Sequence, residues 1–419
     1  MDVLFFHKNL KAGGAERVII ELFKGHKPDS MNWKLLLGRE LGDLLPLARH
    51  EWLISVKNDK TALFQKIKHR FRFLTIWNRI LWLKKIRIHL TRLIGSDLYS
   101  SIQSSIEHNV KLESLSRLIK VLKRERPKIL VSSLVESGHL VAFLALKIAK
   151  ISDYSPTWVA IEHNNTAVRI SDYFPKPEEA YGWELLTKRL YESANHVVAV
   201  SHGVSQGLQM QFGIPGENIS VIHNPVPIND IKEAKTFHSK HKYILSAGRL
   251  HSQKQFDHLI TAYSKVADVI DRELWIAGDG KLKAQLKELA HTLGVSDKVR
   301  FLGVREDLWS LMKSADLFVM SSKYEGFGMT LTEAMAAKCP VVSYDVDYGP
   351  REFIQNGKNG ILVSPGSIDD LAQAIKQILA SSEYANQMTR QAWEGIQSFE
   401  PCEVANQYQK LFSNYQFKN

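Results

Sequence analysis

The stretch from Asp316 to Gly349 admits few folds. Leu317 to Met320 is a short apolar run, the length of a strand buried on both faces. The loop Ser321-Ser322-Lys323-Tyr324-Glu325-Gly326-Phe327-Gly328 follows, a helical pattern starts near Thr330, and Val341 to Tyr344 reads as a second buried strand after Cys339-Pro340. Strand, loop, helix and strand make a βαβ unit, and in such sheets ligands sit beyond the carboxyl ends of the strands. Glu325 lies in the loop and Glu333 on the first turns of the helix, with seven residues between the two carboxylates. Gly326 and Gly328 remove side chains where a ligand can approach the backbone. The amides of Thr330, Leu331 and Thr332 are expected to be free and to point at any anion held there. Thr330 and Glu333 also fit a capping box, in which Thr330 caps the helix and Glu333 bonds back to it. The residues alone therefore leave Glu333 with two readings.

A chain of 419 residues exceeds what one core usually serves, so two domains are expected. Cys339 and Cys402 lie far apart, which gives no disulfide framework or metal-ligand cluster and fits a reducing compartment. The opening MDVLFFHKN has no charged leader and no long apolar core, so it reads as a first strand rather than a signal peptide. No apolar run reaches the roughly 18 residues of a membrane-spanning helix. The formal net charge of +11 calls for an acidic partner: a phosphorylated substrate, anionic lipid or nucleic acid.

Val3 to Phe6 reads as a strand, followed by Gly13-Gly14 and an amphipathic helix from about Ala15 to Lys24. A glycine pair there can seat a phosphate or sugar on the helix N-terminus, or serve only as a turn. Residues 60–96 hold ten Lys and Arg and no Asp or Glu, interleaved with aromatic and aliphatic residues. Arg72, Trp77, Arg79, Trp82, Lys84 and Lys85 have the composition of an interfacial helix, with Trp at headgroup depth and cations on anionic phosphates. The alternative is a helix packed on its domain with a solvated basic edge. No nucleic-acid-binding motif accompanies the segment, so nucleic acid is not expected as a partner.

Farther on, Leu112 to Lys123 and His139 to Ala149 read as helices, and Ile129 to Ser132, Trp158 to Ile161 and Val197 to Val200 as strands. His163 falls just past the strand that ends at Ile161, at the mouth of the sheet. His223 to Asn229 carries two prolines and is the expected linker. After the strand Tyr243 to Ala247, Arg249 and Lys254 suit a phosphate clamp, one forked and one a point charge; surface ion pairs are the alternative. Leu274 to Ala277 leads into the turn Gly278-Asp279-Gly280, and Val299 to Leu302 into Gly303-Val304-Arg305. Ser367 opens a helix with good capping chemistry.

The pattern Glu-Gly-Phe-Gly-x-x-x-x-Glu-Ala-Met-Ala at 325–336 resembles the donor site of retaining glycosyltransferases of the GT-B fold, family four. Gly-Gly-Ala-Glu-Arg at 13–17 and the spacing of Arg249 and Lys254 match it as well; Gln255 stands where the family usually has Gly. The resemblance implies an α/β chain of two facing Rossmann-like domains with parallel sheets and an active-site cleft between them. Residues 1–227 are then the acceptor-side domain with 60–96 as its basic insertion, 228–395 the nucleotide-sugar domain, and 396–419 a helix crossing back. It implies Arg249 and Lys254 on the donor diphosphate, Glu325 on sugar hydroxyls, Glu333 on the ribose and His163 close to the donor sugar. Gly13, Gly14, Gly278, Gly326, Phe327, Gly328, Thr330 and Leu331 join the donor-binding set, and the backbone around Val304 holds the base.

The implied reaction moves a sugar from a nucleoside diphosphate sugar with retention at the anomeric carbon. No cofactor or metal is expected, and the leaving phosphate takes the acceptor proton, so no separate base is needed. Tyr348-Gly349-Pro350-x-Glu352 resembles bacterial cell-surface transferases, which points to a UDP-hexose or UDP-N-acetylhexosamine donor and a lipid-linked or lipopolysaccharide acceptor. The expected location is the cytoplasm, peripheral on the inner face of the plasma membrane. A nucleotide-sugar epimerase of the same fold, a transferase with a soluble acceptor and a silent membrane-binding module are the alternatives. A dinucleotide oxidoreductase is disfavoured because no Gly-x-Gly-x-x-Gly follows the first strand.

Overall fold

The computed structural model describes residues 1–10, 14–27, 31–39, 44–54, 72–149 and 153–416, and over 72–80 the backbone alone. The chain divides into two compact units. The first comprises Met1–Val200, Val204–Ile222 and Ala405–Asn419, the second Ser201–Gly203 and His223–Val404.

In the first unit β1 (Val3–His7), β2 (Trp33–Leu37), β3 (Ile129–Ser133), β4 (Thr157–Glu162), β5 (His196–Ala199) and β6 (Ile219–Val221) form one parallel sheet in the order β2-β1-β3-β4-β5-β6. Every residue of β1, β3 and β5 is buried, the continuous apolar character of strands covered on both faces. Helices Gly14–Gly25 and Leu112–Glu125 supply crossovers; the latter buries Leu115, Leu118, Val121 and Leu122 at helical spacing. The C-terminal helix Pro401–Gln416 contributes its later turns to this unit, where Phe412 packs edge-on against Phe5 and Trp33 and Gln409 bonds His26. From β1 the strand order runs outward to β2 on one side and through β3 on the other, so it reverses between β1 and β3.

In the second unit β7 (Tyr243–Ala247), β8 (Glu273–Ala277), β9 (Val299–Gly303), β10 (Leu317–Met320), β11 (Val341–Tyr344) and β12 (Ile361–Val363) form a second parallel sheet, ordered β12-β11-β10-β7-β8-β9. Here the order reverses between β7 and β10. In open α/β sheets the ligand crevice lies at the carboxyl ends of the two strands that flank such a reversal.

The basic segment forms the helix Arg72–Ile94. Its last turns bury the stripe Ile86, Leu90 and Ile94 and pack on helices Ser96–Asn109 and Pro177–Ser193, while Leu81, Lys84, Lys85, Arg87, Ile88 and Arg92 stay exposed. Packed helix and basic surface are thus two faces of one element, and Trp82 is half-buried between them. Residues 60–71 and the side chains of Arg72, Trp77 and Arg79 lie outside the described residues. No helix among the described residues is long and apolar enough to cross a membrane.

One contact sets the spacing of the loops after β7 and β8. Gly248 donates its amide to Ala277, and a Cβ on Gly278 would lie 1.9 Å from the Gly248 carbonyl oxygen, at a φ of +134°. Gly278, expected in the donor set, is therefore first a packing requirement. Gly278→Ala should cost roughly 3 kcal/mol of unfolding free energy in urea titration, since neither the backbone angle nor the space admits a side chain; an unchanged midpoint would contradict this packing.

Candidate active site

In the second unit, the loops after β7 and β10 are bound side by side. The Gln253 amide group donates to the Tyr324 carbonyl at 3.0 Å, the Lys323 amide donates to the Gln253 carbonyl at 2.8 Å, and the Ser321 hydroxyl faces the carbonyls of Lys254 and Gln255. This brings the Lys254 ammonium to 2.5 Å from Glu325 Oε1, with the two side chains 18% and 9% exposed. Two residues that the sequence places in separate loops are an ion pair across the β7/β10 reversal. Arg249, one turn earlier, is exposed and among the described residues has no side-chain partner.

Gln255 adopts the left-handed conformation, φ 43° and ψ 48°. A side chain costs roughly 1–2 kcal/mol in that region, which is the physical reason a glycine suits this position.

The capping-box reading of Thr330 and Glu333 does not hold. Helix Met329–Ala336 starts after Gly328, whose φ of +89° turns the chain, and Thr330 lies inside the first turn. The expectation of three free amides is corrected too: Leu331 and Thr332 both donate to the Gly328 carbonyl, at 2.9 and 3.1 Å. Thr330 alone of the three is left to face a ligand. Glu333 and Leu331 are buried on the second turn and the inner face.

The Phe327 ring is spent on packing. It lies 4.7 Å from Phe353, 5.9 Å from His223 and 6.1 Å from Phe399. Its carbonyl abuts Gly349, where a Cβ would approach to 2.4 Å. Phe327 therefore anchors the loop that presents Glu325 and Gly326. Beside it, Glu352 accepts from His223 Nε2 at 2.8 Å and from the Gly203 amide at 3.0 Å. Burial pushes the Glu352 carboxyl up, but those bonds outweigh it and hold it below the usual range. His202, His223 and Glu352 bring their ligating atoms within 4.8 Å of one another, a grouping with no sequence signature. Val304 stands 74% exposed beyond β9, next to the paired Arg305 and Asp307.

In the first unit, His163 lies just past β4, 7% exposed, and neither ring nitrogen has a hydrogen-bond partner among the described residues. Burial, then the neighbouring His7, push it down to about 3, so the imidazole is neutral. The preceding Glu162 is buried, bonded by the Tyr191 hydroxyl and the Asn164 amide, and burial raises its carboxyl above the usual range. Gly14 opens helix Gly14–Gly25, and among the described residues no atom beyond its own chain neighbours and helix backbone comes within 4 Å of where a Cβ would stand; Gly13 lies outside the described residues. The sequence reading missed His7 and Glu16. His7 Nδ1 lies 2.6 Å from Ser133 Oγ, and Glu16 Oε1 lies 3.8 Å from His7 Nε2. The only signal for them was their place, one ending β1 and the other in the first turn after the glycine pair.

Two parallel six-stranded sheets, each with its site at a strand-order reversal, define the GT-B class of glycosyltransferase folds. The solved Anabaena protein HepE in complex with UDP-glucose has this fold: it superposes with a TM-score of 0.71 over 99% of this chain and all of its own, at 20% identity. Residues 227–394 match the family described as Glycosyl transferases group 1, and residues 101–230 the one described as Glycosyltransferase Family 4. The chain belongs to this family and is a glycosyltransferase. Similar relatives include a lipopolysaccharide core biosynthesis glycosyltransferase, LpsE, of Rhizobium meliloti, 28% identical over 71% of this chain and 79% of its own length. Another is an N-acetylgalactosaminyltransferase of Campylobacter jejuni that acts on a diphospho-undecaprenol glycan, 29% identical over 53% of this chain and 61% of its own length.

Proposed function

We propose that this glycosyltransferase serves cell-surface glycan synthesis, moving a hexose or N-acetylhexosamine from a UDP-sugar, with retention, to a lipid-linked or lipopolysaccharide glycan. The observation that carries the reading is the Lys254–Glu325 pair across the β7/β10 reversal, with Arg249 open beside it. As the bond from the anomeric carbon to the diphosphate breaks, negative charge builds on the leaving group. Arg249, Lys254 and the Thr330 amide are placed to meet it, and stabilising that charge is the largest demand of the step. Glu325, fixed by Lys254, accepts from sugar hydroxyls, and Glu333 takes the ribose. The acceptor oxygen bonds the anomeric carbon while its proton passes to the departing phosphate, giving glycoside and UDP. The names of the relatives support the acceptor class, and HepE bound to UDP-glucose supports the donor class.

Lys254→Ala and Glu325→Ala should each lower kcat/KM at least about tenfold in a donor-panel assay, because each removes a charged contact worth on the order of 1–3 kcal/mol. The proposed step uses protein cations and no metal, so chelation by EDTA should leave the rate unchanged. Wild-type kinetics in both folded variants would remove the donor-site assignment.

The exposed face of helix Arg72–Ile94 fits an anionic membrane surface. Lys84, Lys85, Arg87 and Arg92 flank exposed Leu81 and Ile88, and each cation near such a leaflet contributes roughly 1 kcal/mol. A cytoplasmic enzyme held there reaches a lipid-linked acceptor. Sedimentation should show binding to anionic but not zwitterionic vesicles, weakening with salt and falling when Lys84, Lys85 and Arg87 become Gln. Indifference to anionic vesicles at low salt would favour a soluble acceptor.

A further inference from the structure

We propose that His202, His223 and Glu352 form a binding site for one divalent transition-metal ion of the zinc class. All three residues belong to the second unit. Their ligating atoms lie within 4.8 Å of one another. His223 Nε2 and Glu352 Oε2 are 2.8 Å apart, and the His202 ring stands 5.8 Å from that of His223, centroid to centroid, at 66°. In a tetrahedral site with metal–ligand bonds of about 2.1 Å, neighbouring ligand atoms are about 3.4 Å apart. The His223–Glu352 pair therefore opens slightly to admit an ion, and the exposed His202 ring turns about its own side-chain bonds to close on it.

The frame that orients these ligands is already in place. Glu352 Oε1 accepts the Gly203 amide at 3.0 Å, which leaves Oε2 for the metal; ligating carboxylates are commonly fixed by such an outer bond. The His223 ring is wedged among Phe327, Phe353 and Phe399, with centroids at 5.9, 6.1 and 5.0 Å. A Cβ on Gly203 would lie 2.6 Å from the Asp347 carbonyl oxygen and 2.6 Å from the Tyr348 ring, so the segment that carries His202 is held close against the loop after β11. The side chains of His223 and Glu352 are 20% and 14% exposed, which opens the site to an ion from solvent.

A hydrogen-bonded histidine–glutamate pair accounts for two of the three residues. It does not account for His202, whose ring makes no hydrogen bond or ion pair among the described residues, yet has a nitrogen within 4.8 Å of both partners. Two imidazoles and one carboxylate suit Zn2+, Ni2+ or Cu2+; Mg2+ and Ca2+ prefer oxygen ligands alone. Three protein ligands leave a fourth position to water. The site uses none of the residues assigned to the transfer step. An ion there acts as a clamp, tying residues 201–203 and His223 to the loop after β11.

The test is calorimetric titration of the full chain, stripped with EDTA and dialysed, with zinc chloride. A site for one ion per chain should appear, and the melting temperature should rise with zinc, because an ion that binds the folded state stabilises it. His202→Ala removes a ligand and no hydrogen bond of the fold; it should weaken that site at least about tenfold, since loss of even an outer-shell partner costs that much. Glu352→Gln should weaken it likewise, and its melting temperature without metal reports whether it folds. Co2+ in place of zinc should give the intense visible bands of a four-coordinate ion in the wild type and lose them in His202→Ala. Absence of a zinc site in the wild type, a zinc site and cobalt spectrum unchanged in His202→Ala, or displacement of zinc by equimolar Mg2+ would each overturn the proposal.

Discussion

The ion pair between Lys254 and Glu325 is the interaction on which the second unit's chemistry depends. A lysine this enclosed is costly without a counter-charge, and removing one partner strands the other. The surrounding bonds keep the pair in place: Gln253 and Ser321 tie the loops after β7 and β10, Gly278 lets the loops after β7 and β8 approach, and the Phe327 ring anchors the carboxylate's own loop in an aromatic cluster. The outcome is a cation of preset geometry, next to an arginine with no side-chain partner among the described residues. Preorganised charge of this kind acts without reorganising at the moment of reaction.

The first unit repeats the same constraint with different chemistry. Its strand order also reverses beside the first strand, and there too a side-chain contact bridges the reversal, His7 to Ser133 instead of lysine to glutamate. The second unit presents cations at its reversal. The first presents the Glu16 carboxylate and the buried, neutral imidazole of His163. One sheet architecture thus carries two different sets of polar residues beyond its central strands.

Much of this was legible in the sequence because parallel strands are short continuous apolar runs and the loops after them carry the polar residues. Leu317 to Met320 and Val341 to Tyr344 read directly as strands, and Glu325, Arg249 and Lys254 stood out beyond strand ends. What was not legible is pairing between loops far apart in the chain: Lys254 with Glu325, His7 with Ser133, Glu352 with His223. Local chemistry also misled. Thr330 and Glu333 have the spacing of a capping box, but the positive φ of Gly328 starts the helix two residues earlier and spends two amides on its own carbonyl. β2 and β6 went unread because Lys34 interrupts the apolar run of β2, and β6 holds only Ile219, Ser220 and Val221, none of them fully buried.

If the proposed function is right, preset cations hold the donor diphosphate at the β7/β10 reversal. Calorimetric titration of the full chain with UDP, wild type against Arg249→Ala, tests it most directly, since Arg249 is exposed and its loss leaves the fold's own contacts intact. UDP affinity should be at least about tenfold weaker in the variant, as expected for a lost charged hydrogen bond. Equal affinity in the two proteins would contradict it.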